Sequence, residues 1–254
     1  MPDRKQKGHT TDVDVPGGPS SVTKGRSSSA EVDVFLEKIK VLVPAAVGTA
    51  GCGRLIFAMD ATMSRQPTWD LALGLQGQMF DVVRDIGGLD VQLVYFRGLS
   101  ECRASRWESD PAALARLMTS VACRGGPTQI RKVLVHARSE CEKQRVSALV
   151  YVGDCMEENV DDLCARAGDL ALLGVPVFLF QEGRDEAAGR AFREIARLTR
   201  GAWCLFDAGA ADQLRELLRA VAVYAAGGFK ALERLAEQGR NRAAQHLLTD
   251  MRRK

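Results

Sequence analysis

The sequence predicts an α/β fold with a doubly wound, mostly parallel sheet, one antiparallel edge strand and flanking helices. Short apolar, β-branched runs alternate along the chain with longer segments whose apolar residues recur at helical spacing. This alternation is typical of strand–helix–strand units, in which each helix returns the chain to a parallel strand. With 254 residues and 46% hydrophobic content, the chain can also bury the core of one domain of about 170 residues.

Four segments are predicted. Residues 1–27 are rich in Gly, Pro, Ser, Thr and charge, and we expect a disordered tail. Residues 28–52 contain an amphipathic helix, stopped by Pro44, and a linker. We expect this helix to pack on the C-terminal extension, with docking to another protein as the alternative. Residues 53–226 form the α/β domain, and residues 227–254 form a basic helical extension.

The elements of the domain follow from local patterns. Apolar runs predict strands at 55–59, 91–96, 175–180 and 202–206, and a strand that begins at 148 and ends at Asp154. Alternation with period two predicts the antiparallel edge strand at 102–107. Helical spacing predicts helices at 69–86, 111–123, 128–142, 160–173 and 186–199, a final domain helix that ends near 227–228, and two short helices at 229–238 and 242–251.

The loop Asp60-Ala-Thr-Met-Ser64 follows the first strand and carries three oxygen donors. A carboxylate followed by hydroxyls at the second and fourth positions points alternate side chains the same way in an extended segment. Oxygen donors of this kind suit a hard cation such as Mg²⁺. A Thr/Ser turn or a helix N-cap is the alternative interpretation.

Two further oxygen donors are predicted at the same edge of the sheet. Thr128 lies in a glycine-rich loop, after Gly125 and Gly126, at the start of a helix. Asp154 falls just past the carboxyl end of a buried strand. Open α/β sheets bind ligands at this edge, so we expect both side chains to lie near the Asp60 loop.

These segments together resemble the von Willebrand factor type A (VWA) domain and its metal-ion-dependent adhesion site (MIDAS). The resemblance covers roughly residues 53–226, with Thr in place of the middle Ser and Pro127 between the glycine pair and the Thr. It implies a Rossmann-like sheet and a Mg²⁺ or Mn²⁺ ion. The two loop hydroxyls would ligate directly, the carboxylates partly through water, and the third hydroxyl according to conformational state. The implied ligands are Asp60, Thr62, Ser64, Thr128 and Asp154.

The resemblance implies a protein-binding module rather than an enzyme. An open metal position would bind an Asp or Glu of a partner, such as an ATPase or a subunit of a cytoplasmic assembly. The alternative is a metal-assisted hydrolase or phosphoryl-transfer enzyme. Its only candidates for a base or nucleophile are Cys155, Glu157 and Glu158. An acidic pair after a strand is more typical of a helix N-terminus.

Composition excludes other classes. A net charge of +3 with no basic stripe, and 6% aromatic residues, argue against nucleic-acid binding. No apolar run approaches the roughly 20 residues of a membrane span, and none follows the N-terminal charges as in a secretory signal, so we expect a cytoplasmic protein. The seven cysteines show no Cys-x-x-Cys spacing, and we expect small buried thiols.

Overall fold

The computed structural model describes residues 52–206, 211–238 and 241–252. The predicted tail 1–27 and nearly all of segment 28–52 lie outside the described residues. The strands are β1 (Gly53–Asp60), β2 (Leu89–Arg97), β3 (Glu101–Glu108), β4 (Ala148–Gly153), β5 (Val177–Glu182) and β6 (Ala202–Phe206). The α-helices are α1 (Gln66–Leu75), α2 (Gly77–Val83), α3 (Pro111–Thr119), α4 (Ile130–Lys143), α5 (Val160–Leu172), α6 (Glu186–Thr199), α7 (Ala211–Glu237) and α8 (Arg242–Arg252).

The six strands form one sheet in the order β3-β2-β1-β4-β5-β6. Neighbouring strands are parallel except β3, which pairs antiparallel with β2 at the edge. The predicted fold class is therefore confirmed. From β1 the chain crosses to β2 on one side and later returns to β4 on the other, so β1 and β4 flank the switch point where such sheets bind ligands.

The sheet is buried on both faces, and β1 shows why. Leu55, Phe57 and Met59 belong to a core shared with α1, α2, α3, α7 and α8, whereas Ile56 and Ala58 belong to a core shared with α4, α5 and α6. Successive side chains of a strand point to opposite faces, so a strand covered on both faces is a continuous apolar run. Because both faces of the sheet are covered, polar side chains lie mainly at the ends of the strands.

The structure corrects several predicted boundaries near the carboxyl edge. The single helix predicted at 69–86 is instead a short 3₁₀ turn, Met63–Arg65, followed by α1 and α2, which Gln76 separates. A proline in the first turn of α1 suits an earlier helix start, because its missing N–H has no partner to lose there. The helix predicted at 111–123 ends at Thr119, and α4 begins at Ile130 rather than at 128. The connecting residues are thereby left as a loop beside β1.

The C-terminal helices pack on the same core as α1–α3. Leu232, Leu247 and Leu248 are buried in it. The predicted break near 227–228 is confirmed, because Gly228 has a φ of 68° within α7 and so interrupts the helical backbone. The boundary at 227 between domain and extension stays a prediction. No helix in the described ranges combines the length and apolarity that crossing a bilayer requires.

All seven cysteines are free thiols. Cys123 and Cys204 are buried, as predicted, and four others are partly exposed. Cys52 is exposed, so the prediction of buried thiols is wrong there. It directly precedes β1, at the sheet edge opposite the one that carries Asp60.

Candidate metal centre

Asp60 ends β1 and is only 1% exposed. The backbone N–H of Thr62 donates to Asp60 Oδ1 at 2.7 Å, which closes an Asx-type turn. Thr62 itself is extended, and its hydroxyl lies 3.4 Å from the Ser64 hydroxyl. The sequence pattern predicts an extended segment here, but Ser64 lies in the 3₁₀ turn. The two hydroxyls nevertheless face each other beside the Asp60 carboxylate.

The turn interpretation of this loop therefore holds in part, but the N-cap interpretation does not. Thr62 is at the N-cap position of the 3₁₀ turn, and its side chain makes no capping hydrogen bond. Its hydroxyl instead pairs with the Ser64 hydroxyl. Both side chains thus keep oxygen lone pairs for another ligand.

The carboxylates of Asp60 and Asp154 are electrostatically coupled. Burial raises the pKa of Asp60 to about 6, against the lowering effect of its hydrogen bonds with Thr62. The negative charge of Asp154 raises this pKa further, and Arg65 lowers it. Asp60 Oδ2 and Asp154 Oδ1 are both buried, and no group in the described part of the chain donates a hydrogen bond to either oxygen. Buried polar atoms in proteins are normally paired, so these two oxygens are candidate ligands for a water molecule or a cation.

Thr128 is fixed to the loop that follows β4. Its backbone N–H donates to Glu157 Oε2 at 2.9 Å, and its hydroxyl accepts from the backbone N–H of Glu157 at 3.2 Å. Thr128 is 5% exposed, and its hydroxyl retains a second lone pair. The structure therefore connects the predicted Thr128 loop to the loop that carries Asp154.

Glu158 caps a helix to which it is not joined in sequence. Its carboxylate accepts from the backbone N–H groups of Ile130 and Arg131, at the N-terminus of α4. The helix that follows in sequence, α5, is capped instead by Asn159. The sequence pattern of Glu157 and Glu158 is typical of a helix N-terminus, and Glu158 does lie at one. The helix is α4, however, and not the next helix in the sequence.

The glycine-rich loop also contacts the first loop. The backbone N–H of Arg124 donates to the Ala61 carbonyl at 2.9 Å. A Cβ on Gly126 would lie 2.1 Å from the carbonyl oxygen of Gly98, so only glycine fits this close approach. These contacts hold the loop after α3 against the loops after β1 and β2, and Thr128 holds it against the loop after β4. The structure does not show a direct contact between Thr128 and Asp60.

Sequence reasoning missed two charged residues of the site. Arg65 Nη2 lies 3.2 Å from Asp154 Oδ2, and Arg65 Nη1 pairs with Glu182 Oε2. Glu182 ends β5, as Asp60 ends β1, and its position at the carboxyl edge was the signal available for it. Arg65 follows Ser64 directly, but no rule of spacing indicates where so long a side chain points.

The candidates for enzymatic chemistry are engaged otherwise. Burial, followed by the hydrogen bond to Asp154, raises the pKa of the Cys155 thiol to about 12, which disfavours a thiolate nucleophile. Both oxygens of Glu158 accept backbone N–H groups. Within the described ranges there is also no group of three or more His, Cys, Asp or Glu side chains arranged to hold a metal. A cation at this edge would therefore need the hydroxyl donors as well as the two carboxylates.

No protein-family model matches the sequence. No curated protein matches it by sequence either. Solved structures do match in fold. The VWA domain of SpRpn10 aligns with a TM-score of 0.53 and 11% identity, over 65% of this chain and 95% of that one. Proximal thread matrix protein 1 (PTMP1) from the mussel byssus, with a zinc-occupied MIDAS motif, aligns with a TM-score of 0.51 and 18% identity, over 68% and 45%.

The pilus adhesin SpaC from Lactobacillus rhamnosus GG, in its open conformation, aligns with a TM-score of 0.52 and 10% identity. The match covers 70% of this chain and 30% of SpaC. The chain thus spans less than half the length of PTMP1 and of SpaC, but nearly all of the SpRpn10 domain. These matches show that the chain has a VWA-like fold, as the sequence motifs predict.

Proposed function

We propose that this domain binds a divalent cation, Mg²⁺ or Mn²⁺, and uses it to hold an Asp or Glu carboxylate of a protein partner. The observation that carries the proposal is the pair of buried oxygens, Asp60 Oδ2 and Asp154 Oδ1, to which no group among the described residues donates a hydrogen bond. A cation between them would relieve the desolvation cost of both carboxylates. The proposed ligands are Asp60, Thr62, Ser64, Thr128 and Asp154.

The donor set fits a hard cation. Carboxylate and hydroxyl oxygens are the ligands that Mg²⁺ and Mn²⁺ accept, whereas softer ions favour imidazole and thiolate. Thr62 and Ser64 present adjacent hydroxyls, and the Thr62 N–H orients the Asp60 carboxylate. When bound, the ion would supply a Lewis-acidic position to which an anionic oxygen can bind. PTMP1 provides an example of a VWA-like fold with a divalent ion, zinc, in its MIDAS.

The surface around the loop suits contact with a protein. Met63 lies between Thr62 and Ser64, and it is 65% exposed. Methionine is enriched at protein interfaces, so this side chain is available to a partner that binds at the loop. We propose that the partner is a protein with an exposed acidic residue, such as an ATPase or an assembly subunit in the cytoplasm.

Calorimetric titration of the full chain with Mn²⁺ and Mg²⁺ tests the metal site. We expect one site in the wild type, and a loss of at least tenfold in affinity, about 1.4 kcal/mol, in Asp60→Asn and in Asp154→Asn. Asp85→Asn is the matched control, because Asp85 is exposed and lies just before β2, at the opposite edge of the sheet. Equal affinity in all four proteins would contradict the proposal.

The partner is tested by capture from the native host. Wild type and Ser64→Ala serve as baits, each with Mg²⁺ or with EDTA. We expect partners retained only by the wild type with Mg²⁺, and loss of retention when an exposed Asp or Glu of the partner is changed to Asn or Gln. Turnover of phosphoester or peptide substrates above background, lost in Asp60→Asn, would instead favour the enzyme alternative.

A further inference from the structure

Arg65 brings a permanent positive charge into the candidate metal centre. Its side chain is only 12% exposed, and its guanidinium lies 3.2 Å from Asp154 Oδ2. A second nitrogen pairs with Glu182, and Nε donates to the Ser64 hydroxyl at 3.4 Å. One basic side chain therefore contacts two of the proposed ligand residues, Asp154 and Ser64, and a second carboxylate, Glu182, at the same time.

Glu182 anchors the other side of this guanidinium. It ends β5, its side chain is 6% exposed, and it also accepts a hydrogen bond from the Thr68 hydroxyl. In the part of the chain that the structure describes, Arg65 is the basic residue that pairs with Asp154 and with Glu182. The guanidinium thus bridges carboxylates at the carboxyl ends of two adjacent strands, β4 and β5.

Such a bridge has opposite consequences with and without a divalent ion. In the metal-free protein, Arg65 neutralises two largely buried carboxylates that would otherwise be costly. A divalent ion on Asp154 would place two cations against the same carboxylate, which is unfavourable. Asp154 Oδ1 is open to the ion while Oδ2 holds Arg65, so the two cations would share one carboxylate and repel each other.

We propose that Arg65 is a resident counter-cation that competes with the divalent ion for Asp154, and that Glu182 retains Arg65 when Asp154 turns to the ion. This inference rests on the metal binding proposed above. A cavity of about 380 Å³, lined by Arg65, Asp154, Glu182 and Arg184, among other residues, lies beside the bridge and offers room for the side chain to shift. The position of Arg65 then sets the metal affinity.

Calorimetric titration of the full chain with Mn²⁺ tests the competition. We expect Arg65→Gln to bind about tenfold more tightly than the wild type, because the competing charge is gone. Arg65→Lys should lie between the two, since an ammonium keeps the charge but cannot bridge both carboxylates in fork geometry. Arg184→Gln, which removes an exposed charge lining the same cavity, should stay within about twofold of the wild type.

Glu182→Gln separates a positioning role from a general field effect. If Glu182 acts by retaining Arg65, Glu182→Gln should weaken Mn²⁺ binding about fivefold when Arg65 is present. In the Arg65→Gln background the same substitution should weaken binding by less than about 2.5-fold. An equal effect in both backgrounds would mean that Glu182 attracts the ion only through its charge. That result would overturn the positioning role.

Thermal melting in EDTA provides a readout that is independent of metal binding. Arg65→Gln should melt at a lower temperature than the wild type, and added Mn²⁺ should raise its melting temperature more than that of the wild type. Unchanged Mn²⁺ affinity in both Arg65 variants would overturn the inference and leave the proposed function intact. Binding by Arg65→Gln but not by the wild type would support the inference and overturn the function for the native chain. Absence of binding in every variant would overturn both.

Discussion

Asp60→Asn is expected to stabilise the metal-free protein while it abolishes metal binding. Asp60 is 1% exposed, and burial raises its pKa from 3.8 to about 6. At neutral pH the folded protein therefore carries a buried ionised carboxylate that the unfolded chain carries in water. Since one factor of ten in a proton equilibrium is worth about 1.4 kcal/mol, ionised Asp60 lowers the free energy of unfolding by about 3 kcal/mol.

The sign of the pH dependence follows from the raised pKa. Between about pH 4 and pH 6 the folded state binds more protons at Asp60 than the unfolded state, so wild-type stability from this group falls as the pH rises. Asn is neutral throughout, and its side-chain oxygen can still accept from the Thr62 N–H. The advantage of Asp60→Asn should therefore approach about 3 kcal/mol above pH 7 and vanish below about pH 4.

Urea denaturation in EDTA at several pH values measures this difference, with Asp85→Asn as an exposed control that should stay within about 0.5 kcal/mol of the wild type. Adding Mg²⁺ at 100 times its dissociation constant should stabilise the wild type by about 2.7 kcal/mol and Asp60→Asn by at most about 1.4 kcal/mol. If Asp60→Asn were less stable than the wild type at pH 7.5 in EDTA, the carboxylate would be stabilising, and the reasoning from its burial would be refuted.

Two further predictions concern the fold. Leu247 of α8 is fully buried, so Leu247→Ala should lower the free energy of unfolding by about 2–5 kcal/mol in chemical denaturation. The control Leu172→Ala, at a residue 80% exposed, should lower it by less than about 0.5 kcal/mol. If both variants lowered it by less than about 0.5 kcal/mol, α8 would not be part of the folding unit. Burial lowers the pKa of His136, whose Nε2 lies 2.8 Å from Gln92 Oε1, so the unfolded state binds more protons at this residue than the folded state does. The wild type should therefore lose stability relative to His136→Gln as the pH falls below about 6.5. A constant difference in stability from pH 8 to pH 5 would contradict this prediction.

The sequence was sufficient for the sheet and for two of the anchors of the site, because both are encoded locally. A strand buried on both faces is a continuous apolar run, and Asp60 and Asp154 stand where such runs end. The edge strand β3 was visible through its period-two alternation for a similar reason. Strand ends that carry carboxylates could thus be assigned to one edge without any knowledge of side-chain contacts.

The rest of the site depends on contacts between residues far apart in the chain. Thr128 is held by Glu157, and Thr68 shares Glu182 with Arg65, but neither arrangement leaves a periodic signal. The start of α4 was predicted too early for the same reason. Thr128 is a residue type that commonly begins a helix, but the N-terminus of α4 is capped by Glu158, which is distant in the sequence.

One physical cause links stability and binding at this edge. A carboxylate that is costly to bury without a cation is stabilised most when a cation binds. A substitution that removes this cost of burial should therefore also weaken the binding of the divalent ion. Asp60→Asn relieves it and should give a more stable protein that does not bind metal. Arg65→Gln does the reverse, because it withdraws the counter-charge from Asp154 and Glu182. It should therefore yield a less stable protein that binds metal more tightly, and the two variants should depart from the wild type in opposite directions on both measurements.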